Sequence, residues 1–435
     1  MANAPQIPRH WHNTRLRQVC LQTELTDPGR NPAQRFIYVD VSSVSNNSFA
    51  IEETKELLGQ DAPSRARKLI RTDDIIFATV RPTLRRIALV PAWLDGQICS
   101  TGYCVIRPDP QRLLPAYVYY YLLTVEVAER VQAMQKGATY PAINDNDLLG
   151  LSIPLPPLPE QRAIANVLRA VQAAREARQR EVALERERKA ALMAQLFTHG
   201  TRGEPMKQTP IGEMPVSWEV AKFSDAVDVT EGQVNPLNEP YRSMVHVGPE
   251  NIESGTGRLI NLKTNAEVNI ISGNYLFTSD DILYSKIRPY LNKVALPACD
   301  GTCSADMYPL RPKAGQLDKR FLCHFLLSQP FVGQAISFQD RTGIPKINRV
   351  QLGSILLVKP SLPEQESIAE VLTACDAKIA ALERESALLD ELFRALLEEL
   401  MTGWVAVAGV AGDGELPLRL SRPPTDHVSG ELLLG

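Results

Sequence analysis

The sequence contains no apolar run long enough to cross a bilayer, which takes about 20 residues in a helix. Its first residues also lack the charged and then apolar pattern of a secretory signal. The seven cysteines are odd in number and lack the spacing of a disulfide framework or a zinc site. We therefore interpret them as core thiols and predict an intracellular, cytoplasmic protein.

Motifs that carry catalysis are also missing. There is no glycine-rich loop for a nucleotide phosphate, and no Asn-Pro-Pro-aromatic run of the kind found in amino-methyltransferases. The six histidines lie near no nucleophile-bearing turn, so no catalytic triad is visible. Glu53-Thr54-Lys55 and Glu187-Arg188-Lys189 match a short pattern of magnesium-dependent nucleases, but charged chains contain it by chance. We predict no catalytic residue, no metal site and no cofactor on this chain.

One motif occurs twice. Leu158-Pro159-Glu160-Gln161 returns 204 positions later as Leu362-Pro363-Glu364-Gln365. Each copy opens about 40 residues without Gly or Pro, with Pro and Glu placed as they are in the first turn of a helix. The second helix keeps an apolar residue at nearly every heptad position, whereas the first is polar in its middle. A helix of this length extends beyond a single compact domain, so we predict that the two helices pair with each other.

The duplication extends to the segments before each helix. Residues Asp73 to Arg86 match Asp280 to Lys293, and Tyr140 to Asn144 match Ile344 to Asn348. Short β-rich runs bounded by Pro, Gly and Asp, with one helical segment in each copy, predict an α+β domain. The sequence therefore predicts two similar globular domains, at residues 1–157 and 204–361. Each is followed by a long helix, at 158–203 and 362–403, and a C-terminal tail occupies residues 404–435.

The charge is unevenly distributed. Residues 362–435 carry 5 basic and 14 acidic side chains, although the whole chain has a net charge of only -3. The rest of the chain is therefore mildly basic and could meet phosphate if its charges cluster on one face. The acidic last helix could bind a basic surface of another protein.

The loops repeated in the two copies contain basic, aromatic and Asn side chains. Arg can form two hydrogen bonds with guanine, Asn can do the same with adenine, and Lys can hold a phosphate. The DNA-binding candidates are Arg65, Arg67, Lys68, Arg81, Arg85, Tyr140 and Asn144 in the first copy, and Lys286, Arg288, Tyr290, Lys293, Arg341, Lys346 and Asn348 in the second. Repetition favours Arg81 with Arg288 and Asn144 with Asn348. A structural role shared by both copies would repeat equally well.

Taken together, these motifs resemble the specificity subunits of type I restriction-modification systems. The resemblance rests on the paired Leu-Pro-Glu-Gln helix starts, on the Lys-Ile-Arg-Pro-Tyr-Leu run at Lys286 to Leu291, and on the Pro-x-Ile-Asn stretches ending at Asn144 and Asn348. It implies two target-recognition domains, each reading half of a bipartite double-stranded DNA target. It also implies that the long helices pair antiparallel as a coiled coil that sets the half-site spacing, with pseudo-two-fold symmetry.

The resemblance further implies partners. Two modification subunits would dock beside the helices and methylate adenine with S-adenosylmethionine, and restriction subunits would bring ATP and Mg²⁺. The partner-binding candidates on the helices are Glu160, Gln161, Arg175, Arg178, Glu364 and Gln365. Family members of this kind are themselves non-catalytic.

Three alternatives remain at this point. A type IIB-like restriction enzyme would use the same two-domain subunit with a fused nuclease-methyltransferase. A protein-interaction scaffold would use the helix pair as its interface and leave the basic loops incidental. A nuclease or methyltransferase acting alone would modify DNA without a partner.

Overall fold

The computed structural model describes residues 7–137, 139–338 and 345–403, together with the short strands Ala406–Val407 and Leu420–Ser421. The chain divides into two compact units: unit 1 comprises Met1–Arg178 and Glu385–Gly435, and unit 2 comprises Gln179–Arg384. Each unit contains one globular α+β part and a segment of both long helices. The boundary between the two units falls inside both long helices, whereas the domain boundaries predicted from the sequence lie at the starts of these helices. Apart from its two short strands, the predicted tail lies outside the described residues.

The two long helices are Leu158–His199 and Leu362–Met401. Pro159 and Pro363 lie in the first turn, where a backbone N–H has no partner within the helix. Gly200 and Gly403, both with positive φ, follow the two helix ends as glycines commonly do. The repeated Leu-Pro-Glu-Gln motif thus marks the first residues of both helices.

The described residues of unit 1 contain two four-stranded sheets and two strand pairs, one of which joins Ala406–Val407 and Leu420–Ser421. Its first sheet is antiparallel and runs, in spatial order, through Cys20–Leu21, Tyr103–Pro108, Ile75–Ala78 and Ile87–Leu89. Its second sheet runs through Lys55–Leu58, Arg35–Val39, Ile98–Ser100 and Ala66–Leu69, and its two central strands are parallel. The remaining elements are the strand pair His12–Arg15 with Ser152–Leu155, and the helices Pro115–Leu122, Val125–Met134 and Asp145–Leu149.

Unit 2 repeats this plan with added pieces. Its first sheet runs through Val227–Val229, Met307–Pro312, Ile282–Ser285 and Val294–Ala295. Its second sheet runs through Gln233–Val234, Asn274–Phe277, Gly301–Cys303, Val245–Val247 and Lys263–Thr264, again with a parallel pair at Val245–Val247 and Gly301–Cys303. The remaining strands are Glu219–Lys222 with Leu356–Lys359, and Met206–Thr209 with Gly212–Pro215. The helices are Phe223–Ala226, Asn265–Val268, Lys319–Leu327, Gln329–Ser337 and Arg349–Ser354.

The first sheet of each unit is buried on both faces. Ile75 and Phe77 belong to a core shared with the helices, whereas Ile76 and Ala78 belong to a core shared with the second sheet. Side chains alternate between the faces of a strand, so a continuously apolar strand is what two buried faces require. In unit 2 the same alternation places Tyr284 in the core shared with the helices and its neighbour Leu283 in the core shared with the second sheet.

The long helices run antiparallel where they meet inside each unit. In unit 1, Arg175 pairs with Asp390 and Arg178 pairs with Glu385. The residue numbers of the second helix decrease as those of the first increase, which is the order of antiparallel helices. In unit 2, Glu185 pairs with Lys378 at 2.6 Å and Lys189 with Asp376 at 2.5 Å. The polar middle of the first helix therefore pairs with the acidic second helix, while apolar residues such as Leu168 and Leu372 are buried nearer the helix ends. The α+β class, the duplication and the antiparallel helix pair agree with the prediction.

Candidate nucleic-acid interface

A short Arg-Pro turn follows the central strand of the first sheet in each unit. Arg81 and Arg288 have φ values of 49° and 48°, and each precedes a 3₁₀ turn that begins with Pro. This left-handed conformation is unfavourable for a residue with a side chain by about 1–2 kcal/mol. The backbone N–H of Arg81 donates to Pro141 O at 2.8 Å, and that of Arg288 donates to Pro345 O at 2.7 Å. The two turns are thus held in the same way, and strained positions of this kind concentrate at functional sites.

In unit 1 the turn meets the loop before helix Asp145–Leu149. The guanidinium of Arg81 lies 5.4 Å from the centre of the Tyr140 ring, and Tyr140 is 68% exposed. Lys136 and Val80 both form a β-bridge with Ala142, and the exposed Lys136 therefore lies close to the Arg-Pro turn. We call the exposed residues Arg81, Lys136, Tyr140 and Asn144 the unit 1 loop cluster.

Unit 2 has an equivalent cluster. Ile287 forms a β-bridge with Lys346, and Tyr290, inside the turn, is 51% exposed. We call the exposed residues Arg288, Tyr290, Lys346 and Asn348 the unit 2 loop cluster. Within the described part of the chain, no carboxylate lies at ion-pair distance from Arg81 or Arg288. Each unit therefore presents uncompensated positive charge beside an exposed aromatic ring, the combination that holds phosphate and stacks on bases.

Several predicted DNA-binding side chains have partners inside their unit instead. Lys68 Nζ donates to Tyr103 O at 2.6 Å and to Asp145 Oδ2 at 2.5 Å. Arg85 donates to Leu123 O, and burial lowers the pKa of its guanidinium. Lys293 Nζ donates to Pro249 O at 2.6 Å. The charged ends of these three side chains bind backbone and carboxylate oxygens of their own unit, and their contact with DNA stays a prediction.

The other candidates differ in exposure. Arg65 is exposed, whereas Arg67 donates to Ala66 O and lies 3.5 Å from Asp27. Lys286 Nζ lies 5.5 Å from the centre of the Tyr308 ring. Arg341 lies outside the described residues.

Asn144 and Asn348 have a structural role that both units repeat. Asn144 Oδ1 accepts from Asp147 N at 2.8 Å, and Asn348 Oδ1 accepts from Gln351 N at 2.9 Å. Each Asn therefore caps the N-terminus of a short helix in a capping box. Capping accounts for the repeated Asn, and contact with a base stays a prediction.

The helix-start glutamines are internal anchors. Gln161 and Gln365 have no exposed surface. Gln161 accepts from Leu114 N at 2.8 Å and donates to Arg112 O and Pro156 O. Gln365 makes the matching bonds to Asp318 N, Gln316 O and Pro360 O. A partner protein cannot touch a fully buried side chain, so the partner-binding prediction is wrong for both glutamines.

The preceding glutamates join the helix start to a tryptophan. Trp11 Nε1 donates to Glu160 at 3.1 Å, and Trp218 Nε1 donates to Glu364 at 3.2 Å. Glu364 is buried and also accepts from Thr201 N, so it is corrected to an internal role. Glu160 keeps 19% of its side chain exposed and stays a candidate, as do Arg175 and Arg178 beside their helix ion pairs.

One ion pair that both units repeat was not predicted from the sequence. Arg107 donates from Nε and Nη2 to the two carboxylate oxygens of buried Asp74, both at 2.9 Å. Arg311 does the same to buried Asp281, at 2.8 and 2.9 Å. The carboxylate hydrogen bonds raise the pKa of Arg107 and of Arg311. Asp74 and Asp281 lie in the aligned blocks, and Arg107-Pro108 recurs as Arg311-Pro312 at the offset of 204, which is the signal that could have found the pair.

The described residues offer little for other chemistry. No group of three or more His, Cys, Asp or Glu side chains in residues 7–137, 139–338 and 345–403 is arranged to hold a metal ion. Among the described helices, none combines the length and apolar character that crossing a bilayer requires.

The fold and the loop clusters define a class of protein: a duplicated α+β chain whose two units carry matching basic, aromatic loops beside antiparallel helices. A family model described as the type I restriction modification DNA specificity domain matches twice, over residues 10–186 and 215–391. These matches cover most of the chain. The chain therefore belongs to the family of type I restriction-modification DNA specificity subunits.

Individual relatives agree with this assignment. The specificity subunit of the type I restriction enzyme EcoDI from Escherichia coli is 31% identical over 284 residues, which span 59% of this chain and 62% of that protein. The match thus covers less than two thirds of the relative's length. A solved chain from work on assembly and conformational transition of a type I restriction-modification system is 29% identical. It has a TM-score of 0.59 and covers 91% of this chain and 98% of that one.

A more distant structure shows the same fold. The type I system S subunit from M. genitalium has a TM-score of 0.55 at 14% identity, covering 92% of this chain and 98% of that one.

Proposed function

We propose that this chain is the non-catalytic DNA-recognition subunit of a type I restriction-modification complex. Each globular part reads one half of a bipartite target in double-stranded DNA, and the helix pair sets the distance between the half-sites. The observation that carries the proposal is the Arg-Pro turn, which has the same strained backbone and the same exposed arginine in both units. One module used twice is what a two-part target requires.

The loop clusters supply the chemistry of recognition. An exposed Arg can grip a guanine edge or a phosphate, and an exposed Tyr can stack on a base or support an arginine. Both clusters contain one Arg, one Lys, one Tyr and one Asn, but the tyrosines occupy different positions: Tyr140 lies in the loop before Asn144, whereas Tyr290 lies inside the Arg-Pro turn. A shared frame with side chains at different positions supports two different half-sites.

The catalytic steps belong to partners in this proposal. Two modification subunits dock beside the helices and methylate adenine with S-adenosylmethionine, and restriction subunits contribute ATP- and Mg²⁺-dependent cleavage. Glu160, Arg175 and Arg178 are the remaining candidates for contact with the modification subunits. Arg175 and Arg178 would extend their existing ion pairs with Asp390 and Glu385.

The test is to co-express the chain with the modification subunit encoded beside it and to map N6-methyladenine in host DNA by long-read sequencing. We expect a bipartite motif with a fixed gap that disappears when this chain is omitted. Exchange of the unit 1 globular part should change one half of the motif and leave the other half unchanged. Removal of one heptad from both helices should change the gap and leave the recognised bases unchanged.

Two results would contradict the proposal. A stable complex that methylates no motif would indicate a scaffold without DNA selectivity. Methylation or cleavage by the purified chain alone, supplied with S-adenosylmethionine or Mg²⁺, would show that the chain is itself catalytic.

A further inference from the structure

Unit 2 contains a cavity of about 900 Å³. Its apolar wall includes Met193 and Ile379 from the long helices and Leu296 and Leu327 from the globular part. The loop Ser254 to Gly257 forms another side. Binding sites for small molecules typically have about 300–1,000 Å³ and a mainly apolar lining, so both size and lining match such a site.

The internal repeat shows why the cavity exists. The bridge between Val44 and Ile51 in unit 1 matches the bridge between Ile252 and Leu259 in unit 2, and this places Phe49 opposite Gly257. Both residues have positive φ, 54° for Phe49 and 77° for Gly257. The loop therefore has a similar turn in the two units, and unit 2 has lost the ring.

Other large side chains of unit 1 are also smaller or more polar in unit 2. Arg85 and Asn292 follow equivalent 3₁₀ turns and donate to Leu123 O and Leu327 O respectively. At the repeat offset of 204, three further unit 1 residues have different counterparts. The pairs are Tyr119 with Cys323, Tyr120 with His324, and Phe393 with Lys189. Cys323, His324, Lys189, Gly257 and Asn292 all line the cavity.

Unit 1 shows what fills the equivalent space. Phe49 packs against the unit 1 core, and its ring centre lies 5.7 Å from the guanidinium of Arg85. Tyr119 OH donates to Phe49 O at 3.1 Å, and the Tyr120 ring meets Phe393 edge-on at 6.2 Å between centroids. In unit 1, the space that corresponds to the unit 2 cavity is therefore filled by the aromatic ring of Phe49.

The charges that line the unit 2 cavity are already paired within the unit. Arg186 contacts Glu383 at 2.5 Å, and Lys189 contacts Asp376 at 2.5 Å. Arg258 contacts Glu253 at 3.0 Å and Glu383 at 2.6 Å. Burial, helped by the charges of Lys189 and Arg320, lowers the pKa of His324 to about 3, so its ring is neutral near pH 7. No unpaired charge among these residues calls for an ionic ligand.

From this matched pair of sites we infer that the unit 2 cavity binds a neutral, planar aromatic small molecule, which takes the space that Phe49 holds in unit 1. Binding would stabilise unit 2 by mass action.

The experiment titrates the full-length chain with 5-fluoroindole and follows the probe by ¹⁹F NMR. We expect saturable binding to one site per chain. Gly257→Phe restores the unit 1 ring and should weaken binding by about tenfold or more. Gly257→Ala is the matched control, because it has the same backbone strain at a φ of 77° without filling the cavity. It should keep the affinity of the wild type.

The reciprocal variant tests the same inference in unit 1. Phe49→Gly removes the ring and should create a second site, raising the stoichiometry from one to two. Circular dichroism establishes that each variant is folded. If the Gly257 variants fail to fold, His324→Tyr fills the cavity from helix Lys319–Leu327, at the position where unit 1 has Tyr120.

Three outcomes overturn the inference: no saturable binding to the wild type, equal binding by Gly257→Phe and Gly257→Ala, or an unchanged single site in folded Phe49→Gly. If the first of these outcomes is found and Gly257→Phe but not Gly257→Ala weakens assembly with the modification subunit, the cavity is assigned to a protein side chain instead.

Discussion

The second sheets of the two units differ in buried chemistry although their strands pair in the same register. In unit 1, Tyr38 lies opposite Ile98 on parallel strands, and both belong to a small apolar core with Phe36 and Ala66. In unit 2 the equivalent pair is His246 and Thr302. A strand register therefore tolerates an exchange of apolar for polar side chains when the polar groups find partners.

Unit 2 provides those partners from two asparagines. Asn265 Nδ2 donates to Thr302 Oγ1 at 2.7 Å, and Asn274 Nδ2 donates to Asn265 Oδ1 at 3.0 Å and lies 3.2 Å from His246 Nδ1. All four side chains of this network are buried. A buried polar network depends on nearly complete pairing, so unit 2 should be the more sensitive of the two to changes in protonation.

Other parts of the frame are the same in both units. The Arg-Pro turn, the carboxylate-arginine pair, the helix-start glutamine and the capping Asn all recur with matching hydrogen bonds. These groups fix the ends of strands and helices, and so they position the loops. The two units therefore share the groups that position the loops and differ in the residues that pack behind those loops.

The largest expected effect concerns the carboxylate-arginine pair. Asp74→Ala removes the buried bidentate partner of Arg107, whose side chain is only 15% exposed, and leaves it only the exposed carboxylate of Glu24 at 3.3 Å. The loss of one partner of a buried ion pair costs about 3–5 kcal/mol in the free energy of unfolding. Asp281→Ala should cost less, about 2 kcal/mol, because Arg311 is 49% exposed and keeps its hydration.

Urea unfolding measures the total loss, and hydrogen exchange with mass spectrometry locates it in one unit. Asp73→Asn is the control, since Asp73 is exposed and Asn tolerates its φ of 67°. Equal losses for Asp74→Ala and Asp281→Ala would show that burial of the arginine does not set the difference.

The next effect concerns DNA binding and rests on the proposed function. Arg81→Ala and Arg288→Ala should each weaken binding of the assembled complex to its target by about 1–3 kcal/mol, because each removes one contact to a base or phosphate. A base contact predicts relaxed selectivity in one half-site only. Fluorescence anisotropy on targets mutated in either half measures both effects, with exposed Arg162 on the first long helix as the Arg→Ala control. Unchanged affinity in both variants would remove the Arg-Pro turns from the interface.

A pH effect should separate the units. The folded state lowers the pKa of His324 to about 3, mainly through burial, from an ordinary value of 6.5. The unfolded state therefore binds a proton first as the pH falls, and unit 2 loses stability below about pH 6.5, by about 2 kcal/mol at pH 5. Burial also lowers the pKa of His246, which adds to the loss in the same direction.

Unit 1 has tyrosines at both equivalent positions, so acid should destabilise it less. Hydrogen exchange at pH 7 and pH 5 measures the protection of each unit, and His324→Tyr should reduce the pH dependence of unit 2. Equal loss of protection in both units would contradict the assignment to the histidines.

The smallest effect concerns the capping asparagines. Asn144→Ala and Asn348→Ala should each lower stability by about 1 kcal/mol through loss of the helix cap. Asn144→Asp and Asn348→Asp keep an oxygen acceptor and should keep the cap. A loss of DNA affinity in the Asp variants without a loss of stability would show that the amide also contacts a base, whereas unchanged affinity would leave capping as the only role.

Sequence reasoning predicted the architecture well because its signals are local or repeated. Pro and Glu at the helix start and the heptad pattern depend on backbone sterics and side-chain periodicity, and both long helices follow from them. The candidate site follows less directly from the sequence. Lys68, Arg85 and Lys293 lie beside turns, as Arg81 does, and only their contacts with distant carbonyls distinguish them from it.

By itself, the sequence determined the duplication, the two long helices, the α+β class and the family, because repeats and periodicity are properties of the chain order. Only the tertiary structure decided which side chains are free to meet a ligand. Gln161 and Gln365 became anchors because backbone groups about 50 residues away converge on them. The unit 2 cavity likewise depends on Gly257, Asn292 and His324 being brought together by folding. Burial and hydrogen-bond satisfaction are collective, so no local pattern in the sequence contains them.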